Sequence, residues 1–259
     1  MGNIVLKALV VVMFFVTGCG GDSRADEVLA LPSQDVNTDP VSKILTNLQY
    51  AAGGLKSYQC KIEYLFSQPI LESKTLRMGN LYYARFDGGS KLRIEFDALT
   101  QDDGPMQKNR DIYIFDGHWL THIDYQIKQA QKRQLAEANE PIDAFELVKR
   151  TFPIIGFDRS EDLKKQFDVN LIGESNGLVH LFLKVKPDSQ YKDDYTSVDV
   201  WIDTAKTGLP EKVATTNNNG DIYEIRFIEP KVNEMINEKV FEFTIPNGFG
   251  KPEVIPLKK

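Results

Sequence analysis

The chain has 259 residues, 42% hydrophobic and 26% charged, ordinary figures for a globular protein that exclude extended disorder. Its formal net charge is -6, with 31 basic against 37 acidic side chains and no stripe of Lys and Arg, so binding to nucleic-acid phosphates has no electrostatic basis. Two cysteines, Cys19 and Cys60, allow one disulfide at most and are too few for a thiolate metal cluster.

Residues 1–18 hold one charged side chain, Lys7, and the apolar run ALVVVMFFV from Ala8 to Val16. A membrane-spanning helix needs about 20 apolar residues and a signal-peptide core about 7 to 15, so this run reads as a signal peptide. It ends in Val16-Thr17-Gly18-Cys19, a branched apolar residue and two small residues before cysteine. That arrangement resembles the bacterial lipobox and marks Cys19 for lipidation, with an ordinary secretory signal as the other reading. Two or more acyl chains, at about 0.8 kcal/mol per buried CH₂, would hold the remainder at a membrane surface. Residues 19–39 are rich in Gly, Asp, Ser and Pro and read as a tether, leaving residues 40–259 as one domain.

The domain opens with a helix. Pro40 follows Asp39 at a helix-start position, and Val41, Ile44, Leu45, Leu48 and Ala52 recur at spacings of three and four until Gly53-Gly54. From Ser57 the period changes to two. Tyr58, Cys60, Ile62, Tyr64 and Phe66 share one strand face, with Cys60 a small hydrophobe on it. Strands follow in TLRMGNLYYARF, KLRIEFDAL, RDIYIFD, WLTHID and IKQAQKRQ, with a hairpin at Asp116-Gly117. Two short helices are expected in DAFELVKRTF, Asp143 to Phe152, and SEDLKKQF from Ser160. Alternation then returns in DVNLIG, LVHLFLKV, SVDVWID, LPEKVATT, DIYEIRFI and VFEFTI, with turns at Asn176-Gly177 and Asn219-Gly220. About ten strands on short turns predict a mainly β (α+β) fold: a large curved antiparallel sheet forming an incomplete barrel covered by helices.

Catalytic and metal motifs are missing from the sequence. No G-x-S-x-G, P-loop, H-E-x-x-H or G-x-G-x-x-G pattern occurs. His118 and His122 lie four apart on a predicted strand, about 13 Å, and cannot share an ion. Asp102-Asp103 and Asp193-Asp194 fall in polar turns. The expectation is therefore no enzyme, no metal and no cofactor. LYYARF and IYIF are apolar on both faces, as a buried core or a cavity wall would be.

Several stretches resemble the LolA/LolB superfamily of bacterial lipoprotein-localisation proteins. VDVWIDTAKTGLPEKVATTNNNGDIYEIRF (Val198 to Phe227) is the strongest, and VFEFTIPNGF (Val240 to Phe249) is similar to the family's terminal Phe-x-Phe-Thr-x-Pro motif. LKSYQCKIEYLF, GNLYYARF and FDGHWLTHIDYQIKQAQKRQ are similar to its opening strands and Asp-Gly hairpin. The resemblance implies a LolA-like incomplete barrel with a helical lid over a hydrophobic cavity for acyl chains. It places Arg85 as the lid contact, although Phe86 stands where the family has proline, and Leu81, Tyr83, Leu92, Ile94 and Phe96 as cavity-lining. The implied function is a membrane-anchored envelope protein binding acyl chains of lipids or lipoproteins, a fixed acceptor closer to LolB than a shuttle. The alternative is an anchored periplasmic sensor or interaction module with an envelope protein partner. Gly20 follows Cys19 where aspartate would signal inner-membrane retention in enteric bacteria, so the outer membrane is preferred, with the domain facing the periplasm.

Overall fold

The computed structural model describes residues 39–87, 89–144 and 160–257. The segments read from the sequence as a signal peptide and a tether, with Cys19, lie outside the described residues up to residue 38, as does most of the helix expected over 143–152. Helix α1 spans Pro40–Gly53; Asp39 caps it through Oδ1, which accepts the Val41 N–H at 3.3 Å. Its buried residues are Val41, Leu45, Leu48 and Ala52, the stripe expected from the sequence. Helix α2 spans Ser160–Gln166. Lys164 Nζ ties the two helices together, donating to Ser42 Oγ at 2.7 Å and meeting Asp39 Oδ2 at 3.0 Å.

Twelve strands form one open sheet. They are β1 (Ser57–Gln68), β2 (Ser73–Phe86), β3 (Gly89–Gln101), β4 (Gln107–Phe115), β5 (Trp119–Asp124), β6 (Gln129–Gln134), β7 (Phe167–Ser175), β8 (Leu178–Val185), β9 (Tyr195–Asp203), β10 (Pro210–Asn217), β11 (Ile222–Val232) and β12 (Glu253–Ile255). Their order is β12-β6-β5-β4-β3-β2-β1-β11-β10-β9-β8-β7. Two meanders, β1 to β6 and β7 to β11, are thus joined where β1 pairs with β11, Ile62 opposite Phe227. The Asn176-Gly177 turn has both residues at positive φ, 53° and 74°, as a tight two-residue hairpin requires.

The sheet is open and does not close into a barrel, in line with the incomplete barrel expected. It departs from expectation in three places. The pairing of β12 with β6 is parallel, because the chain returns to that edge after crossing the sheet. Strand β6 begins at Gln129, not Ile127, since Asp124 Oδ1 accepts the N–H groups of Gln126 and Ile127 and closes a turn there. VFEFTI is not a strand: Asn237 caps a short 3₁₀ turn, Glu238–Phe241, and the chain runs on irregularly.

That irregular stretch has a different role, as a strap. Phe243, Ile245 and Phe249 pack on Ile112, Ile114, Ile123 and Ala130, the second core cluster. The main core lies on the opposite face, where α1 and α2 cover strands from both meanders. Strand β4 therefore serves two cores, Tyr113 and Phe115 facing the helices and Ile112 and Ile114 facing the strap. Double burial explains its unbroken apolar run. Arg93 holds the strap down by donating through one terminal nitrogen to Val240 O (2.9 Å) and Glu242 O (3.3 Å).

Candidate functional site

The helix-covered face of β2 and β3 carries all five residues expected to line a cavity. Leu81 sits opposite Ile94, Tyr83 opposite Leu92, and Gly79 opposite Phe96, so the side chains form one continuous patch across two paired strands. All five are buried in the main cluster. Cys60, on neighbouring β1, is a free buried thiol whose pKa burial pushes up to about 12. It is unreactive for that reason.

At one end of the patch lies Arg85. Its Nε donates to Tyr83 Oη at 2.7 Å and meets Asp143 Oδ2 at 3.1 Å, while Tyr83 Oη donates to Asp143 Oδ1 at 3.3 Å. The Arg85 and Asp143 side chains are 41% and 33% exposed, so water screens this pair. Residues 135–144 reach it by curling under the β4–β5 turn: Leu135 N–H donates to His118 O and Ile142 N–H to Gly117 O. Ala144, fully buried, follows with its N–H on Ser90 Oγ. Arg85 thus contacts Asp143, the first residue of the segment expected to be helical over 143–152.

The other end of the same face holds a polar group that sequence reasoning missed. Asp111 on β4 and Asp124 on β5 are direct cross-strand partners, and His122 lies opposite Tyr113. Asp111 Oδ2 accepts from an Arg77 terminal nitrogen at 2.9 Å and from Tyr113 Oη at 3.0 Å, and its Oδ1 meets His122 Nε2 at 2.5 Å. The imidazole stacks on the Tyr113 ring, centroids 4.3 Å apart and 3° from parallel. Burial pushes the Asp111 carboxyl upward, but the hydrogen bonds and charges of His122 and Arg77 outweigh it and set the net shift downward. Nearby, the buried Tyr64 hydroxyl has no hydrogen-bonding partner among the described residues, and burial raises its pKa. Of the two histidines expected on one strand, His122 lies on β5 and His118 precedes it in the β4–β5 turn. The signal lay in the next strand, where register sets the partners and spacing along the chain does not.

Elsewhere the acidic pairs behave as turn residues: Asp102, Asp103 and Asp193 are exposed. No helix among the described residues is long and apolar enough to cross a membrane.

The chain is thus an open, mainly antiparallel sheet with helices on one apolar face. The family described as outer membrane lipoprotein carrier protein LolA matches residues 105–244, more than half of the sequence, and the chain belongs to that family. No curated protein matches it. Among solved structures, it is similar to the Pseudomonas aeruginosa MucA/MucB complex (20% identity, TM-score 0.46, 80% of this chain), spanning 62% of that chain's length. It is also similar to the Mycobacterium tuberculosis lipoprotein LppX (10% identity, TM-score 0.42, 77% of this chain and 99% of that one). A LolA superfamily protein from Nitrosomonas europaea shares 11% identity at a TM-score of 0.33, over 78% of this chain and 96% of that one.

Proposed function

We propose that this protein binds acyl chains of lipids or lipoproteins against the helix-covered face of β2 and β3, without catalysing a reaction. A lipidated Cys19 would hold it at the outer membrane, facing the periplasm, as a fixed LolB-like acceptor. The supporting observation is the apolar patch of Leu81, Tyr83, Leu92, Ile94 and Phe96 ending at a screened polar contact, Arg85 with Asp143. A sixteen-carbon chain leaving water is worth on the order of 12 kcal/mol at 0.8 per CH₂, so only a wholly apolar surface could compete with a bilayer. A weak contact at its end would let the helices part from the sheet without the core unfolding.

Two measurements test this. Radiolabelled palmitate should enter the wild-type chain and not Cys19→Ala, with the label in the outer-membrane fraction. Mass spectrometry of Cys19→Ala, purified without detergent, should find co-purifying lipid that is lost in Leu81→Asp. A palmitate-labelled protein that carries no lipid, yet crosslinks to one envelope protein, would replace acyl binding with the sensor or interaction-module reading.

A further inference from the structure

We propose that Asp111, His122 and Asp124 form a binding site for one divalent first-row metal ion, Zn²⁺ or Mn²⁺. A ligand atom from each of the three lies within 4.8 Å of the others. Around a tetrahedral ion with bonds of about 2.0–2.2 Å, neighbouring ligand atoms stand roughly 3.3 Å apart, so small side-chain rotations suffice to enclose one. The ligands sit on adjacent strands in the sheet interior, a rigid base for such a site.

The surrounding bonds orient the ligands as outer-shell partners do in metal centres. Arg77 and Tyr113 occupy Asp111 Oδ2, while Oδ1 meets His122 Nε2, so an ion would enter between those two atoms in place of their hydrogen bond. Stacking on Tyr113 fixes the plane of the His122 ring, with Nε2 turned to Asp111. Asp124 supplies an independent observation. The residue is only 8% exposed, yet its sole partners are its own turn's amides on Oδ1, so Oδ2 has no hydrogen bond among the described residues. Oδ2 is not among the fully buried unpaired atoms, so it stays accessible to an ion arriving from solvent. Two carboxylates share this face with one guanidinium, that of Arg77. One imidazole and two carboxylates with no thiolate suit Zn²⁺ or Mn²⁺ and not Cu(I). This inference stands apart from acyl-chain binding.

The test uses the full chain without a histidine tag, stripped with chelator and dialysed against micromolar ZnCl₂ or MnCl₂, with bound metal counted by mass spectrometry. The expected result is one ion per chain and a melting temperature raised by the ion. Asp124→Asn, which retains an Oδ1 to close the turn, should bind at least tenfold more weakly, and His122→Gln likewise. His180→Gln, which breaks the separate His180–Asp199 pair, should bind like wild type. Cobalt substitution of the stripped wild-type chain should give visible absorption bands that excess Zn²⁺ abolishes. Binding below a tenth of an equivalent in the wild type, or equal binding by wild type and Asp124→Asn, would overturn the proposal.

Discussion

Gly79 occupies a row of direct strand partners, Phe227, Ile62, Gly79, Phe96, Asp111 and Asp124, that crosses the sheet on its helix-covered face. A Cβ added there would stand 1.9 Å from Glu95 O and 2.8 Å from Phe96 Cα. Both are backbone atoms of the paired strand, so no side chain can swing aside. Gly79→Ala must push β2 and β3 apart by about 1 Å or more where strands normally lie about 4.8 Å apart. Overpacking of this kind costs about 1–3 kcal/mol, and a stretched ladder bond adds about 1. We expect a loss of about 3 kcal/mol, which for a domain of this size lowers the melting temperature by roughly 6–12 °C. Arg77 precedes the glycine by two residues, so the same shift should loosen its contact with Asp111. Gly173→Ala is the control, because nothing lies within 4 Å of its added Cβ. Thermal unfolding followed by circular dichroism gives the answer. If Gly79→Ala melted within 2 °C of both wild type and Gly173→Ala, the register assigned to β2 and β3 would be wrong.

Glu95 accepts bidentate bonds from Arg93 on Oε2 and Arg110 on Oε1. Burial raises its pKa, but those two arginines outweigh burial and the net shift is downward. A carboxylate with a depressed folded pKa stabilises above its unfolded value of about 4.3, and that stability disappears as pH falls through the folded pKa. Glu95→Gln should therefore cost about 1–2 kcal/mol at pH 7, and the gap in urea midpoints should shrink below about pH 4. Phe243→Ala, which strips the strap from Ile112 and Ile114, should cost about 2 kcal/mol in urea, less than the 3–5 of a fully buried Phe. In a double-mutant cycle, Arg85→Ala and Asp143→Asn should couple by only about 0.5 kcal/mol, falling further in 0.5 M NaCl. Cys60, in a Cys19→Ala background, should resist a thiol reagent at pH 8 when native and react fully in guanidinium, as a buried thiol titrating near 12 requires.

Patterns of period two and 3.6 made most elements legible, because each local segment has one face to bury. They could not say what buries it. IYIF reads as apolar on both sides, but only the fold supplies two covers, helices over Tyr113 and Phe115 and the strap over Ile112 and Ile114. VFEFTI shows the opposite failure. Its alternation is real, and Phe241, Phe243 and Ile245 all pack against protein, but the stretch crosses a sheet face and has no neighbouring backbone to pair with. Alternation reports a half-buried segment and is silent about hydrogen bonding. The polar cluster escaped for a third reason. Asp111 and His122 are eleven residues apart and meet through a register that no count along the chain reveals.

The arrangement of covers also bears on where a carrier of this family could open. On the strap side, β3 to β6 are held by a second core, by Arg93 on two strap carbonyls and by β12 along the edge, so that side has no loose component. On the other side, Lys164 joins α1 and α2, and α1 is fixed to the β1 end of the sheet. There Asn233 accepts the Lys56 and Ser57 N–H groups on its side-chain oxygen and donates to Gly54 O. The helices therefore move as a unit about the β1–β11 junction or stay where they are. Residues 135–144 are tied to the sheet by the half-exposed ion pair at Arg85, the Tyr83–Asp143 hydrogen bond, the buried Ala144 N–H on Ser90 Oγ and three backbone bonds on the β4–β5 turn, from Leu135 and Ala136 to His118 O and from Ile142 to Gly117 O. The half-exposed part of this link, Arg85 with Asp143, lies beside Tyr83. Cargo entering there would meet the predicted acyl-binding residues first, and the buried charges of Arg77 and Asp111 would mark the far limit of the apolar path.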